Sequence, residues 1–540
     1  MTREERRPER RQGDEEPDPI PRRVFRPQRL AISRNGMAAT AHYRATEAAV
    51  ELLEAGANAV DAAVAAAFAL GVCEPAASGL GGQTMMLLHH AASRRVVALD
   101  GSSRAPNRAT VEALSNPERR RGYKATTVPS TPAVLAYALR RYGTRKRADV
   151  LRPAIRLAEE GCEITPLQHA LAKRELKHLR SGSAGRIFLK GGQRSYPAGA
   201  RFRQPVLAAT LRRLAKEGLN DFYRGRIARM IHDDMVRNGG LIRRDDLARI
   251  PRPIERRPLT ARFGTERVFT FPPPGAGRTL VLMLNVFQHL AGKRWDPDSP
   301  EGALLLAEVI RRAFLDRNDR PFDPSYYAQV EDKRMLNPRY AKLVARQVRS
   351  RFERRGETTH LSVMDRWGNA VALTQSIERP FGACEAHPEL GFLYNNYMSD
   401  FEYDDISHPY YLRPNAAPWA SVAPTILMRG KRPRLAIGSP GSERITPVIL
   451  QVLLRLRRQQ PYEAVAAPRL YCALDGTVSL EASRMRDDIP RALESRGFTI
   501  DVREPYSFYL GSVQLVMREK DSFIGVADPR RDGSAAGPRQ

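Results

Sequence analysis

Cysteine is scarce. Only Cys73, Cys162, Cys384 and Cys472 occur in 540 residues, with no C-x-x-C pair, which excludes a disulfide-stapled scaffold. Cys384 and His387 have ligand spacing, but no second pair completes a zinc site, so no metal is expected and the thiols read as free and mostly buried. Long apolar runs are also missing. The longest charge-free one, Ala62 to Cys73, is about a dozen residues against the ~20 a membrane-spanning helix needs, so it reads as a buried helix and no membrane partner is expected. Nor does an apolar h-region open the chain. Met1 to Gln28 is dense in Arg, Glu and Pro, which predicts a disordered arm over residues 1–28 and a cytoplasmic protein.

What is present is the composition of a globular chain, 42% hydrophobic and 27% charged, long enough for about two to four domain-sized units. A formal net charge of +28 raises the question of a polyanion partner. The positive residues do not concentrate, however. Apart from short runs at Arg6 to Arg11, Arg119 to Arg121 and Arg346 to Arg355, Arg is spread through helices, turns and tails. A solvated basic surface accounts for that distribution, and nucleic acid is not expected as the main partner.

After the arm, Ala45, Ala48, Ala49, Leu52 and Leu53 recur at helical spacing and stop at Gly56, a C-cap signal. Val60, Ala63, Val64, Ala67 and Phe68 give a second helix an apolar face, and Pro75 ends it. Ser78-Gly79-Leu80-Gly81-Gly82 follows. Such a run either cradles an anion or lets another backbone approach closely. Met85 to His89 and Val96 to Asp100 read as two strands joined by a turn. Residues 130–350 read as mostly helical, with Val150 to Gly161, Leu207 to Gly218 and Ala303 to Arg317 as examples. Pro272 to Gly277 forms a rigid turn before a helix. After Thr358 the texture becomes β, at Leu361 to Met364, Ala370 to Ser376 and Leu435 to Gly438. The charged, apolar-poor stretch Arg346 to Glu357 just before it reads as an exposed linker open to cleavage.

Thr359 to Met364 and Ala370 to Ser376 flank Asp365-Arg366-Trp367-Gly368-Asn369, whose Gly-Asn supplies hairpin turn chemistry. A hairpin symmetric about Trp367 opposes Met364 to Ala370 and, by the same count, Thr358 to Ser376. Opposed Cβ atoms lie roughly 4.5 to 5.5 Å apart, close enough for two hydroxyls to hydrogen-bond. Ordinary strand composition is the alternative, since Thr favours strands.

Glu357-Thr358-Thr359-His360-Leu361-Ser362-Val363, followed by Gly368-Asn369-Ala370-Val371-Ala372-Leu373-Thr374-Gln375-Ser376, resembles the processing site of the gamma-glutamyltransferase (glutathione hydrolase) family of N-terminal nucleophile hydrolases. Gly56 to Ala63, Ser78 to Gly82, Pro153 to Ile155, Asp221 to Gly225, the Pro272 turn, Ala313 to Arg317, Gly438 to Gly441 and Asp528 to Gly533 resemble family segments in family order, over about residues 30 to 540. The resemblance implies an α/β (α+β) fold, a four-layer αββα sandwich. It also implies a precursor that cuts itself between Glu357 and Thr358 into a large region, 29–357, and a small one, 358–540, the two subunits being partners from one chain. Thr358 would be the nucleophile and its freed α-amine, with an unperturbed pKa of about 7.7 to 8.0, the base, so no cofactor is called for. Ser376 stands at a supporting hydroxyl, and Gly441-Ser442 match the oxyanion-hole glycines.

For the small-molecule substrate the resemblance places Asp400 at the amine-binding position and Ser421 at the second of two paired Ser. Several positions depart from it. Ser102 stands where a carboxylate-clamping Arg is expected, with Arg104 two residues on as the substitute. Glu378 stands at an Asn position, Tyr397 at a Gln, Ala420 at the first paired Ser and Ser442 at the second Gly. An Arg fork binds a carboxylate by two charge-assisted bonds, and Glu378 beside Asp400 adds negative charge, which favours amine-bearing over carboxylate-bearing acyl groups. Three readings follow. One is a self-processing gamma-glutamyltransferase-like amidohydrolase or acyltransferase. Another is a branch with a non-glutamyl pocket, acting as an acylase or a biosynthetic bond-cleaving enzyme. The last is a non-catalytic basic binding protein.

Overall fold

The hairpin predicted about Trp367 is the centre of one sheet. The computed structural model describes residues 28–250, 254–290, 296–319 and 357–539. The expected arm lies outside these apart from Gln28, and the charged linker lies outside them apart from the backbone of Glu357. Strands Glu357–Asp365 and Ala370–Glu378 pair across the turn and lie at the middle of a seven-stranded sheet. Its order is Ser534–Ala536, Gly36–Thr40, Glu357–Asp365, Ala370–Glu378, Gln83–His90, Arg95–Gly101 and Ile254–Arg256. A second seven-stranded sheet runs Leu30–Ser33, Ser522–Ala527, Gln514–Glu519, Arg432–Gly438, Thr425–Arg429, Glu266–Thr270 and Leu259–Phe263. Every pairing within the two sheets is antiparallel.

Alternation along the central hairpin sets the layers. Leu361, Val363, Val371 and Leu373 join Val60, Val64 and Leu70 on the helical side, while Met364, Ala370 and Ala372 meet Ile426, Ala436 and Ile437 of the other sheet. Helices Tyr43–Glu54, Ala59–Cys73, Thr131–Tyr142 and Arg147–Glu160 cover the first sheet. Gly277–Leu290, Pro300–Asp319 and Ile445–Arg455 cover the second. The architecture is the four-layer αββα sandwich.

Helix Ala59–Cys73 is buried along nearly its whole length, as its Ala-rich sequence predicts. Its N-terminus is fixed twice. Asn58 and Asp61 form a capping box, and the Ala59 N–H donates to Asp365 Oδ2 at 2.8 Å, joining the helix to the end of the hairpin strand. The Gly run settles on close approach: a Cβ on Gly81 would stand 2.0 Å from the Leu393 carbonyl oxygen, and one on Gly82 2.3 Å from that of Ser376.

Among the described residues, 130–350 are mostly helical, as expected, but Ile254–Arg256, Leu259–Phe263 and Glu266–Thr270 interrupt them as strands. The last two form a sheet-edge hairpin whose exposed positions are Thr260, Arg262 and Arg267, which dilutes its apolar alternation. The region after Thr358 is not only β. Helix Ile445–Arg455 is buried at every position, so it lacks the polar face that marks a helix in a sequence.

Candidate active site

The hairpin register is the predicted one from Met364↔Ala370 back to Thr359↔Gln375, and there it breaks. The next pair is Glu357↔Glu378, so Thr358 faces Ser376 and Ile377 together. Direct opposition of Thr358 to Ser376 is therefore corrected to a bulge, in which two residues of one strand face one of the other. Glu378 takes φ 77°, and its N–H donates to Ser376 Oγ at 2.8 Å, which closes the bulge around the serine. Both Thr358 and Ser376 are buried.

Strand direction carries the neighbouring side chains into the space between the sheets. His360, two residues after Thr358, lies against Gly438 of the facing strand, and Gly441 follows three residues later. The imidazole is fully buried, and burial pushes its pKa down to about 3, so the ring is neutral. Donor bookkeeping fixes the tautomer. Ser362 Oγ donates to the Gln514 carbonyl at 3.1 Å, so Nε2–H of His360 donates to Ser362 at 3.1 Å and Nδ1 accepts from Thr374 at 2.9 Å.

The turn after Gly438 has Gly441 at φ 122° and Ser442 at φ 53°, and it closes through Arg444 N–H to the Gly441 carbonyl at 3.1 Å. Among the described residues the Gly441 and Ser442 amides donate to no other backbone carbonyl. Two adjacent N–H groups in a left-handed turn make an anion-accepting concavity.

On the other side of Ser376, the turn Tyr397–Asp400 presents Tyr397, whose hydroxyl is within hydrogen-bond reach of Ser376 and Gln83. Burial first, then the charges of Glu378 and Asp400, raise its pKa well above the usual value and keep the phenol protonated. Gln83 Oε1 accepts from the Ser103 N–H at 2.9 Å. Asn395 Oδ1 accepts from the N–H groups of Thr127 (3.1 Å) and Tyr397 (3.2 Å), so this wall is one buried hydrogen-bonded unit.

Ser376, Glu378, Tyr397 and Asp400 are thus brought together. Ser421 reaches the site indirectly. It accepts from the Trp419 indole N–H at 3.3 Å, Arg317 lies 5.6 Å from the Trp419 ring, and Arg317 pairs with Glu443, the neighbour of Ser442, at 2.6 Å. Ser102 is buried, and its Oγ donates to Asp100 Oδ1 at 2.6 Å, the other Asp100 oxygen pairing with Arg256 at 3.0 Å. Arg104 is fixed through its main chain, its carbonyl accepting from Val128 N–H at 2.8 Å.

Sequence reasoning did not single out Glu74. Its carboxylate accepts from Thr359 Oγ1 at 2.6 Å and from Arg531 at 2.9 Å, so it ties the residue after Thr358 to the C-terminal Asp528-to-Gly533 segment. No sequence signal announces a contact across 457 positions. Among the described residues no three His, Cys, Asp or Glu converge as metal ligands, and Cys384 is buried with its thiol pKa pushed up to about 12. All four cysteines are buried and none forms a disulfide, and no helix among the described residues is long and apolar enough to cross a membrane.

Two facing antiparallel sheets between helical layers are the architecture of the N-terminal nucleophile hydrolases. The chain belongs to the gamma-glutamyltranspeptidase family, whose profile matches residues 45–538. It is 31% identical to the glutathione hydrolase proenzyme of Bacillus subtilis (strain 168), over 94% of this chain and 92% of that one. It is 34% identical to the acylase ACY 1 proenzyme of Pseudomonas sp. (strain V22), over 93% of this chain and 94% of that one. The crystal structure of cephalosporin acylase from Bacillus halodurans superposes with a TM-score of 0.87 at 28% identity, covering 97% of this chain and 99% of that one. The protein is an enzyme of amide-bond hydrolysis or transfer.

Proposed function

We propose that the chain cuts itself between Glu357 and Thr358 and then works as an amidohydrolase or acyltransferase with Thr358 as nucleophile. One observation carries this reading: the bulged register sets Thr358 against Ser376, while His360, two residues on, packs on the strand that leads into the Gly441-Ser442 turn. In the cut, Thr358 Oγ adds to the Glu357 carbonyl carbon and the C–N bond breaks. Water then hydrolyses the ester, leaving the Glu357 carboxylate and a free Thr358 α-amine. In turnover that amine takes the Oγ proton as Oγ attacks the substrate amide, and the leaving amine receives the proton as the acyl-enzyme forms. Ser376 orients Thr358, and the Gly441 and Ser442 amides hold the tetrahedral oxyanion. Water or an amine then accepts the acyl group.

The substrate reading follows from the same wall. Relatives of both kinds, glutathione hydrolase and acylase, match the chain over similar lengths. With Ser102 buried against Asp100 and Glu378 beside Asp400, the site lacks an Arg clamp at that position and gains negative charge. Acyl groups bearing an amine and no free carboxylate suit it, which favours the acylase reading over glutathione.

The test is intact mass and N-terminal sequencing of the purified chain beside Thr358→Ala. Two fragments are expected, the smaller starting at Thr358 and absent from the variant. A chain that stays whole on prolonged incubation overturns the proposal. A preference for gamma-glutamyl anilide over amine-bearing acyl anilides lacking a carboxylate overturns the substrate reading alone.

A further inference from the structure

Among the described residues, the buried cation Arg444 has no counter-ion. Its residue is 3% exposed, its Nε and Nη1 atoms are buried with no hydrogen-bond partner, and among the described residues no carboxylate pairs with it. The adjacent carboxylate is committed elsewhere, since Glu443 pairs with Arg317 at 2.6 Å and lies 3.4 Å from the Tyr471 hydroxyl. What Arg444 does touch is the Tyr509 ring, with Cζ 4.2 Å from its centroid. Arg503 lies against the same ring at 4.0 Å, but its charge is answered by Asp501.

A guanidinium cannot shed its proton in a protein, and an uncompensated buried charge is destabilising, so the fold carries a cost here that stacking on one ring only partly offsets. The location supplies the reason. A Cβ built on Gly441 would stand 3.8 Å from Arg444 Nε, so the guanidinium end of the side chain lies on the Cβ side of the residue read as half of the oxyanion site. Its backbone N–H closes the same turn on the Gly441 carbonyl. In a site shielded from water, a fixed positive charge beside this turn acts on any negative charge its amides accept.

We propose that Arg444 is an electrostatic positioning residue of the oxyanion site: it holds the turn closed and supplies the positive potential that the Gly441 and Ser442 amides alone would lack. The charge it answers develops during the reaction, when the carbonyl oxygen becomes an oxyanion, so its effect falls on the transition state and not on substrate binding. This rests on the reading of Gly441-Ser442 as the oxyanion site. No bond to Arg444 forms or breaks.

The experiment compares Arg444→Met with Arg444→Lys in the processed enzyme, using p-nitroanilides of a gamma-glutamyl, a glutaryl, an amine-bearing acyl lacking a carboxylate and an uncharged acyl group. Both variants remove the planar guanidinium and its stacking, and they differ in charge. For each anilide the wild type hydrolyses, Arg444→Met should lower kcat by about 10- to 100-fold with KM within about twofold, and Arg444→Lys should recover most of that loss. Equal kcat in the two variants overturns the proposal and leaves Arg444 a packing residue. A rise in KM confined to the gamma-glutamyl and glutaryl anilides also overturns it, since Arg444 would then be a ground-state carboxylate clamp. A wild-type chain that neither cuts itself nor hydrolyses any of the anilides overturns the underlying reading and this inference with it, an outcome seen before any variant is made.

Discussion

The His360 imidazole occupies the space in which a Cβ of Gly438 would lie: that atom would stand 2.2 Å from Cε1, 2.4 Å from Nδ1 and 2.7 Å from Nε2. The two sheets therefore meet, close to the candidate nucleophile, through a ring on one and a bare backbone on the other. Gly438→Ala forces the ring or the strand to move, and overpacking of this kind costs about 1 to 3 kcal/mol. Urea denaturation should show that loss. His360→Ala in the same chain makes the space again, so the double variant should be more stable than the sum of the singles predicts, and additivity would contradict the contact.

Acid should destabilise the fold through its buried neutral histidines. Burial pushes both His42 and His360 from 6.5 to about 3, so below pH 6.5 the unfolded chain binds protons that the folded chain refuses. Stability is thus lost as pH falls from about 6.5 towards 3, by about 1.4 kcal/mol per pH unit for each ring. Glu74, Asp365 and Asp532 have raised pKa values and act in the opposite sense, so a difference measurement isolates the histidine. His42→Asn retains an acceptor for the Arg44 N–H now bonded to Nδ1. Between pH 6 and 4 its stability should fall less steeply than the wild type by about 1.4 kcal/mol per unit, and parallel slopes would show that His42 titrates normally.

Glu74 joins two pieces of the region after the cut. Glu74→Ala removes the carboxylate that both Arg531 and Thr359 use, and breaking such a buried pair costs about 3 to 5 kcal/mol. Glu74→Gln keeps an oxygen for Thr359 and should lose less. Self-cleavage followed on a gel should slow in the order wild type, Gln, Ala, because Thr359 holds the backbone on which Thr358 is presented. Cleavage at the wild-type rate in Glu74→Ala would separate this network from the site.

What was legible in the sequence was whatever short-range periodicity encodes. The alternation around Trp367 gave the hairpin register as far back as Thr359, and the motif there gave the family and hence the layers. The bulge was not legible, since it depends on the left-handed Glu378 and on a hydrogen bond that forms only once Ser376 is buried. Tyr397 and Glu378 could be read only as departures from a pattern. That the phenol hydroxyl reaches Ser376 follows from a turn about twenty residues downstream folding back over the strand. Arg444 carries no sequence signal at all among 88 Lys and Arg, because only burial and the commitment of Glu443 elsewhere make it unusual.

Ser442 adopts φ 53°, a left-handed conformation that costs a side-chain-bearing residue about 1 kcal/mol relative to glycine. It also stands where the family resemblance expects a second Gly. If the turn exists to present two amides, the serine side chain is dispensable and the backbone shape is not. Ser442→Gly should therefore raise the thermal midpoint slightly, by the equivalent of about 1 kcal/mol, and leave kcat intact. Ser442→Val, β-branched and strongly disfavoured at positive φ, should distort the turn and lower kcat while KM changes little. Loss of kcat in Ser442→Gly would mean that the hydroxyl itself takes part, and the oxyanion assignment would move from the Ser442 amide to its side chain.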